Sequence, residues 1–348
     1  MDLRTPNPKL YNVPFLTDEF NGMPYRVLGT SGLRVSNVGL GTWKIGFPET
    51  GDGARVGEKM AFKIFDRAIE LGVTHWDTAN RYHGGSGNSE RVIGKWLRSN
   101  PDQRRNIVLA TKVFGGMDGV TPNHCRLSRS NIFDSVYASL ERLQLDYVDI
   151  LYFHRFDELT PVHESLEAVE DLIKPDLARY FAVSNFTVKQ LQQYHKIAGT
   201  LSNRAQPIAV QNQFDILHGE SSEHPRVLHF CAEAGLSFVA WSPLARGLLT
   251  ARYLDPSMAR KGDRLVDEGT LETDATPDIL AKLNKLAFLA NEWEMTLSQV
   301  TLAYMLTLPG MGPVIPSAST VEQLEKNAAA GKIQLTDEQL QQIKALIS

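Results

Sequence analysis

The sequence has only two cysteines, no long hydrophobic run and no excess of positive charge. Cys125 and Cys231 lie far apart and form no CxxC pair, so neither a disulfide framework nor a thiolate zinc site is expected. No run of about 18 apolar residues occurs that could cross a membrane as a helix. The N-terminal residues also lack the basic start and apolar core of a secretory signal. We therefore expect a cytosolic protein.

The charge and composition point to a globular protein that acts on a small molecule. The formal net charge of −4 offers no basic surface for nucleic acid or for an anionic membrane. With 43% hydrophobic and 22% charged residues among 348, the chain can bury a large core. The sequence carries no signal for the oligomeric state.

Strands and helices are predicted to alternate along most of the chain. After an N-terminal arm, residues 1–22, two short β segments flank Thr30-Ser31-Gly32, and residues 23–348 are expected to form one domain. Eight short apolar strands follow, at Val38–Leu40 and within VTHWDTA, NIVLATKV, YVDILYFH, RYFAVSNF, PIAVQNQF, LSFVAWSPL and GPVIPSAS. Helical periodicity is found near residues 55–71, 88–99, 130–143, 162–174, 187–198, 224–234 and 277–307. Eight such units without a linker predict an α/β fold, a single closed (β/α)8 TIM barrel.

The longest stretch without clear periodicity covers residues 245–275. It is rich in Gly, Asp and Arg and directly follows the seventh strand. On a barrel this position belongs to the catalytic face. We therefore expect a loop that closes over a ligand.

Four polar side chains fall at or just beyond the ends of three consecutive strands. Asp77 and Tyr82 follow the second strand, Lys112 lies at the end of the third, and His154 follows the fourth. The carboxyl ends of barrel strands converge on one mouth, so these groups are expected to meet. An acid, a phenol, an amine and an imidazole together indicate proton transfer.

Each of these four groups has a physical task in such a transfer. A phenol has an ordinary pKa of about 10 and is a poor donor until its anion is stabilised. We expect Lys112 to lower the pKa of Tyr82 toward neutrality, because a nearby ammonium stabilises phenolate. Asp77 would orient the lysine, and His154 would steer the substrate oxygen or pass a proton. Taken singly, each residue also fits a turn, a packing or a surface role, and their joint placement favours a site.

A metal site is an alternative at the same end of the barrel. His75 and Asp77 are two residues apart on one strand face, and His83 and His154 could join them as ligands. Such a site would indicate a metal-dependent lyase or hydrolase. Lys112 makes such a metal site unfavourable, because its ammonium would lie among the ligands. We therefore expect no metal.

Several stretches together resemble the aldo-keto reductase family from Tyr25 to Ile347. They include LGTSGLRVSNVGLGTW, GVTHWDTANRYHGGSGNSERVIGKWL, SLERLQLDYVDILYFHRFD, WSPLARGLL and VIPSASTVEQLEKNAA. Within the family the chain resembles the branch with potassium-channel β-subunits and bacterial reductases of glyceraldehyde-phosphate type. The resemblance implies a barrel plugged at its bottom by the N-terminal hairpin, with extra C-terminal helices. It also implies a catalytic tetrad of Asp77, Tyr82, Lys112 and His154.

The resemblance further implies an extended nicotinamide dinucleotide across the barrel mouth. The positions that match cofactor contacts are Thr42, Trp43, Asp77, Ser184, Asn185, Gln211, Trp241, Ser242, Pro243, Leu244, Ala245, Arg246, Arg252, Arg264, Ser317, Ser319, Gln323 and Asn327. Arginines and a helix N-terminus near Thr320 suit an anionic cofactor, although Arg252 and Arg264 fit solvated loop charges equally well. Many relatives carry Arg where this chain has Ser319, and that Arg favours the 2′-phosphate of NADPH. With Ser319 in its place the preference is weaker, so NADP(H) is the expected cofactor and NAD(H) the alternative.

The expected function is that of an NADP(H)-dependent oxidoreductase. It would transfer hydride between nicotinamide and a small-molecule aldehyde, ketone or alcohol, with Tyr82 as the general acid. A cofactor-binding accessory or sensor subunit with slow turnover would have the same residues at these sites. Arg155, next to His154, either meets an anionic substrate or pairs with Asp157.

Overall fold

A computed structural model of the protein describes residues 18–82, 87–116 and 119–347. Most of the predicted N-terminal arm, and His83, lie outside these residues. The strands are β1 (Glu19–Phe20), β2 (Met23–Val27), β3 (Arg34–Ser36), β4 (Leu40–Gly41), β5 (His75–Asp77), β6 (Val108–Val113), β7 (Val148–Phe153), β8 (Ala178–Ser184), β9 (Ala209–Asp215), β10 (Gly219–Glu220), β11 (Ser237–Trp241) and β12 (Met311–Val314). The helices are α1 (Glu58–Glu70), α2 (Asn88–Ser99), α3 (Arg129–Leu143), α4 (Val162–Ile173), α5 (Val188–Ala198), α6 (Val227–Ala234), α7 (Arg264–Asp267), α8 (Leu271–Asp274), α9 (Pro277–Glu292), α10 (Leu297–Met305), α11 (Val321–Ala330) and α12 (Asp337–Ile347).

Eight parallel strands form a closed barrel at the centre of the molecule. Their order is β4, β5, β6, β7, β8, β9, β11 and β12. The barrel closes between its first and last strands, where Gly39 N donates to Val314 O at 2.8 Å. The predicted (β/α)8 barrel is therefore confirmed. Its first strand is Leu40–Gly41 and not Val38–Leu40, while Val38 forms an isolated bridge to Val314.

The alternation of side chains along β5 separates the outer core from the barrel interior. Trp76 points outward and stacks on Phe65 of α1, with ring centroids 4.6 Å apart. It also contacts Trp96 of α2. His75 and Asp77 lie on the opposite face of the strand, and all three β5 residues are buried. The packing of Trp76 against the helices thus directs Asp77 into the mouth of the barrel.

The hairpin of β2 and β3 closes the amino end of the barrel. Leu28 and Val35 pack in one buried cluster with residues of the barrel interior. Gly29 N donates to the hydroxyl of Ser237 at 2.7 Å, at the start of β11. Gly29 has a φ of 57°, and a Cβ there would lie 1.8 Å from Ile208 O, so a side chain would collide with the barrel wall. The plug that the resemblance implies is confirmed.

Three features extend the predicted pattern. β1 pairs antiparallel with β2, so the arm predicted for residues 1–22 ends in a strand. The region 245–275 contains α7, α8 and short 3-10 turns where the sequence predicts an irregular loop. After β12, α11 completes the eighth strand–helix unit, and α12 is an additional C-terminal helix. No helix in the described ranges is both long and apolar enough to cross a membrane.

Candidate active site

Asp77, Lys112 and Tyr82 form one hydrogen-bonded group at the mouth of the barrel. Asp77 ends β5, Lys112 lies near the end of β6, and Tyr82 lies in the turn that follows β5. Lys112 Nζ lies 2.5 Å from Asp77 Oδ1 and 2.9 Å from the Tyr82 hydroxyl. Asp77 and Lys112 are each 1% exposed, so water does not screen their ion pair. The structure therefore brings these three predicted catalytic residues together.

The Lys112 ammonium uses all three of its donors. In addition to Asp77 and Tyr82, it donates to Thr78 O at 2.9 Å, and an ammonium has three N–H groups. The contact between the Tyr82 hydroxyl and Asp77 Oδ1 is 3.3 Å, which is long for an O–H···O bond. Lys112 is thereby held as a donor to the phenol oxygen, the atom that becomes negative when the phenol loses its proton.

The pKa values of this group show that the phenol keeps its proton. Burial and the Asp77 carboxylate raise the pKa of Tyr82 well above its ordinary value. Burial lowers the pKa of Lys112, and the charge of Asp77 opposes that shift. The prediction that Lys112 lowers the pKa of Tyr82 is wrong for the protein without a bound ligand. Asp77 balances the charge of Lys112, and burial disfavours the charged phenolate.

His154 follows β7 and lies beside Tyr82. The two rings meet edge to face, with centroids 6.1 Å apart. Burial, with the positive charges of Lys112 and Arg155, lowers the pKa of His154 to about 3. The imidazole is therefore neutral near pH 7, with one ring nitrogen a donor and the other an acceptor. A neutral imidazole at this place can hold a carbonyl oxygen by a hydrogen bond.

Hydrogen bonds from β8 and β9 fix the position of this group. Gln211 Nε2 donates to Asp77 Oδ2 at 2.7 Å, and Ser184 Oγ donates to Gln211 O at 2.7 Å. Asn185 Nδ2 donates to His154 O at 2.9 Å. Asn185 has a φ of 57°, a left-handed conformation that asparagine tolerates. Three residues predicted to contact a cofactor thus also position Asp77 and His154.

Thr42 lies behind the site and Trp241 lies at its opening. Thr42 is fully buried, and its Oγ1 donates to Asp77 O at 2.9 Å. Ser89 Oγ donates in turn to Thr42 Oγ1 at 2.8 Å. Trp241 is 37% exposed, and its indole N–H donates to Asn185 Oδ1 at 3.2 Å. The exposed indole offers a flat apolar surface at the mouth.

A long cavity of about 2310 Å³ crosses the mouth of the barrel. It exceeds the roughly 300–1,000 Å³ of most small-molecule sites, so it has room for an extended ligand and a substrate. Thr42 and Lys112 lie behind its wall, and the other predicted site residues line it. These are Trp43, Asp77, Tyr82, His154, Ser184, Asn185, Gln211, Trp241, Ser242, Pro243, Leu244, Ala245, Arg246, Arg252, Arg264, Ser317, Ser319, Gln323 and Asn327.

The arginines predicted near the cofactor phosphates are paired within the loop that follows β11. The pairs are Arg246 with Asp274, Arg252 with Asp263, and Arg264 with Glu268. Arg264 also lies over the Trp43 ring, 4.6 Å from its centroid. These arginines therefore order the loop over the cavity and are not simply solvated charges.

Lys44 is a cavity residue that the sequence reasoning missed. It lines the cavity together with Arg55, Arg252 and Arg264. Burial and the charges of these three arginines lower the pKa of Lys44 to about 8. The three arginines are also paired with Asp267, Asp263 and Glu268. Lys44 adds a further positive charge to this part of the cavity, which therefore favours an anionic ligand. The available signal was that Lys44 directly follows the predicted contact Trp43.

The backbone on the same wall is strained. Ser242, Ala245 and Arg246 have φ values of 56°, 47° and 56°, a region that costs non-glycine residues about 1–3 kcal/mol each. Such strain is typical of ligand clamps, and all three residues line the cavity. Together with the cations around Lys44, this wall fits the phosphates of a dinucleotide.

His75 does not join the site. It is fully buried at the start of β5, and its ring nitrogens make no standard hydrogen bond to the residues that the structure describes. Burial lowers the pKa of His75 to about 4. Among residues 18–82, 87–116 and 119–347, no three His, Cys, Asp or Glu side chains are grouped as metal ligands. His83 lies outside these ranges, and the metal alternative has no support in the part that is described.

Comparison with known proteins gives the family. Residues 37–348 match the model of the aldo/keto reductase family. The chain belongs to the aldo/keto reductase family. This confirms the resemblance and makes the protein a barrel oxidoreductase, in a family whose members generally use nicotinamide cofactors.

Individual relatives of this aldo/keto reductase have different described roles. A probable voltage-gated potassium channel subunit beta from Oryza sativa subsp. japonica is 30% identical, over 93% of this chain and 97% of that protein. Versiconal hemiacetal acetate reductase from Aspergillus parasiticus is 29% identical, over 92% and 96%. Aldo-keto reductase AMT2 from Alternaria alternata is 32% identical, over 90% and 89%. The chain therefore resembles both reductases and a channel subunit along nearly its whole length.

Proposed function

We propose that this aldo/keto reductase reduces an aldehyde or ketone with NADPH, with Tyr82 as the general acid. The observation that carries the proposal is the hydrogen-bonded group of Asp77, Lys112 and Tyr82 beside a neutral His154. A bound nicotinamide supplies the hydride for the carbonyl carbon. The protein supplies the proton and holds the carbonyl oxygen.

Each side chain has one task in this reaction. His154 donates a hydrogen bond to the carbonyl oxygen, and Tyr82 transfers its proton to the same oxygen as negative charge develops there. Lys112, 2.9 Å from the phenol oxygen, stabilises the phenolate that remains. Because Asp77 and Thr78 already fix the lysine, its charge is in place before the reaction and costs no reorganisation.

The state of Tyr82 favours reduction over alcohol oxidation near neutral pH. Reduction needs the protonated phenol as an acid, and oxidation needs the phenolate as a base. Burial and Asp77 raise the pKa of Tyr82, so the acid form prevails. Oxidation of an alcohol is therefore expected only as the pH becomes alkaline.

NADP(H) is the proposed cofactor and NAD(H) the alternative. Lys44, Arg252 and Arg264 line the part of the cavity that suits phosphates. Ser319 lines its far end, and its backbone N–H donates to Gln323 Oε1 at 2.8 Å. Ser319 offers no charge to a 2′-phosphate, so discrimination against NAD(H) is expected to be weaker than with arginine there. Two free cysteines suit a cytosolic location.

A second candidate is a cofactor-binding accessory subunit, which the likeness to the rice channel subunit favours. The test is oxidation of NADPH by the purified chain, followed by the absorbance of reduced nicotinamide over a panel of carbonyl compounds. Sustained carbonyl-dependent oxidation supports the reductase. Tight NADPH binding without turnover on any carbonyl would favour the accessory subunit instead.

A further inference from the structure

Two arginines are sequence neighbours of the residues proposed to act on the substrate oxygen. Arg81 directly precedes Tyr82, and Arg155 directly follows His154. Arg81 lines the cavity together with Tyr82 and His154, and both arginine side chains are exposed. The proposed reaction uses neither of them.

Arg155 is not paired with Asp157, the partner that the sequence suggests. Asp157 is 2% exposed, and it accepts from Arg126 Nη1 at 3.1 Å and from Leu127 N at 3.0 Å. The Arg155 guanidinium lies instead over the Phe114 ring, 5.5 Å from its centroid. In the described part of the chain, no carboxylate forms an ion pair with Arg155. The charge of this exposed arginine is therefore not neutralised by an ion pair within those residues, and it helps to lower the pKa of His154.

Arg81 also has no carboxylate partner within the described residues. Its guanidinium donates to Gly116 O, and its stem packs against Gly115, where a Cβ would collide with Arg81 Cδ. Phe114, Gly115 and Gly116 are consecutive residues after β6. Arg81 and Arg155 thus both rest on this one loop, beside the reacting groups.

Among the described residues, the charges next to Tyr82 and His154 do not cancel. Asp77 is balanced by Lys112 at 2.5 Å, and the charges of Arg81 and Arg155 are not balanced by an ion pair within those residues. Guanidinium groups recognise carboxylate and phosphate through paired N–H donors. We propose that Arg155 and Arg81 bind an anionic group of the substrate, so that the reductase acts on carbonyl compounds that carry a carboxylate or a phosphate.

This inference rests on the proposed function and names its class of substrate. Arg81 lines the same cavity as Tyr82 and His154, and the charge of Arg155 helps to lower the pKa of His154. Both arginines are therefore close to the reacting groups and suit a substrate whose anionic group is close to its carbonyl. Short oxo acids and phosphorylated aldehydes have this arrangement.

The kinetic test compares two aldehydes with the same number of carbons, succinic semialdehyde and butanal. Wild type is expected to have the higher kcat/KM for the anionic aldehyde. Replacing Arg155→Gln or Arg81→Gln should lower the ratio of the two kcat/KM values about tenfold, the loss of one charge-assisted hydrogen bond. Arg155→Lys keeps the charge but loses the paired N–H donors, so it should lower the ratio less than Arg155→Gln does. Arg98→Gln, an exposed arginine on the outer helix α2, is the matched control.

A binding experiment tests whether the two arginines bind an anion, and it does not depend on catalytic turnover. Calorimetry measures the affinity of succinate, and separately of inorganic phosphate, with and without NADPH. Binding of either anion by wild type, weakened about tenfold by Arg155→Gln, supports the inference and shows which anion is preferred. A kcat/KM ratio that is equal in wild type and variants, with no anion bound, would overturn it. If no carbonyl is reduced at all, the proposed function fails, while anion binding still decides about Arg81 and Arg155.

Discussion

Near pH 7 the four residues at the barrel mouth comprise one ion pair and two neutral groups. Lys112 and Asp77 are 2.5 Å apart, Tyr82 keeps its proton, and His154 is uncharged because its pKa is lowered to about 3. In the proposed reaction, Tyr82 is therefore the group that holds the proton for the substrate. The Lys112 ammonium is fixed beside the phenol oxygen, which becomes negative when that proton leaves.

Lys44 is expected to make cofactor binding depend on pH. Its pKa is lowered to about 8 by burial and three arginines, so the unliganded protein loses this charge as the pH rises through 8. An anionic cofactor favours the charged lysine, and binding then takes up a proton. The affinity for NADPH is therefore constant below this pH and falls above it, by up to about tenfold per pH unit.

Fluorescence titration of NADPH at a series of pH values measures this effect. Lys44→Met should bind more weakly at low pH and show a flatter profile above pH 8. The same slope in Lys44→Met and wild type would assign the pH dependence to another group.

The positions of single residues at strand ends could be predicted from the sequence, but their protonation states could not. Asp77, Lys112 and His154 follow from apolar alternation, because a strand end at a barrel mouth can be located from its pattern. The raised pKa of Tyr82 depends on burial, which only the packed structure gives. Lys44 was missed for the same reason, since its importance lies in three arginines that are distant from it in sequence.

Among the elements, the segment after β11 covers the cavity through contacts with the connection between β4 and α1. Arg55 in that connection bonds Asp267 at 3.1 Å and donates to Gly262 O at 3.2 Å. Arg264 adds its contact with Trp43. The sequence predicts a covering loop at this place, but the pairs that hold it are long-range and leave no local periodicity.

Asp267→Asn is expected to speed the release of NADPH. The change breaks the ion pair with Arg55 while keeping every cation on the cavity wall. Arg55 and Asp267 are 26% and 31% exposed, so solvent weakens the pair, and a rise of about two- to fivefold in the off-rate is expected. Stopped-flow fluorescence measures it. Arg129→Gln, which breaks an ion pair with Asp171 at 2.7 Å away from this segment, is the control.

If only the net charge of the cavity wall mattered, Asp267→Asn would release NADPH more slowly. Removing an acid raises the positive charge on the wall and would slow the release of an anion. A slower or unchanged off-rate would therefore contradict the role of this segment as a clamp.

For the whole molecule, two histidines with lowered pKa values are expected to make the free energy of unfolding depend on pH in acid. The pKa values of His75 and His154 are lowered from 6.5 to about 4 and about 3. As the pH falls below 6.5, these two histidines become protonated in the unfolded chain but stay neutral in the folded barrel. Stability is therefore full above pH 6.5 and falls below it, by up to about 1.4 kcal/mol per pH unit for each histidine.

Urea unfolding at several pH values measures this loss. His75→Leu should reduce the loss of unfolding free energy between pH 6.5 and 4, because the variant lacks one of the two imidazoles whose pKa is lowered on folding. His195→Gln, an exposed site on α5, should change it little. An equal pH dependence in His75→Leu and wild type would show that His75 is not involved.

The barrel as a whole was predictable because eight apolar strands alternate with helices along the sequence. Its closure depends on the pairing of β4 with β12, for example Gly39 N with Val314 O, which periodicity does not reveal. The resemblance implied the plug, yet the sequence does not show why it fits. The close approach of Gly29 to Ile208 O gives that reason.

The central claim is that Tyr82 donates the proton in carbonyl reduction. Its most direct test is the single-turnover rate of NADPH oxidation with enzyme in excess, compared among wild type, Tyr82→Phe and the exposed control Tyr137→Phe. The rate is expected to fall roughly 10²–10⁴-fold in Tyr82→Phe alone, with NADPH affinity unchanged. A Tyr82→Phe rate within a few-fold of wild type at equal cofactor affinity would contradict it.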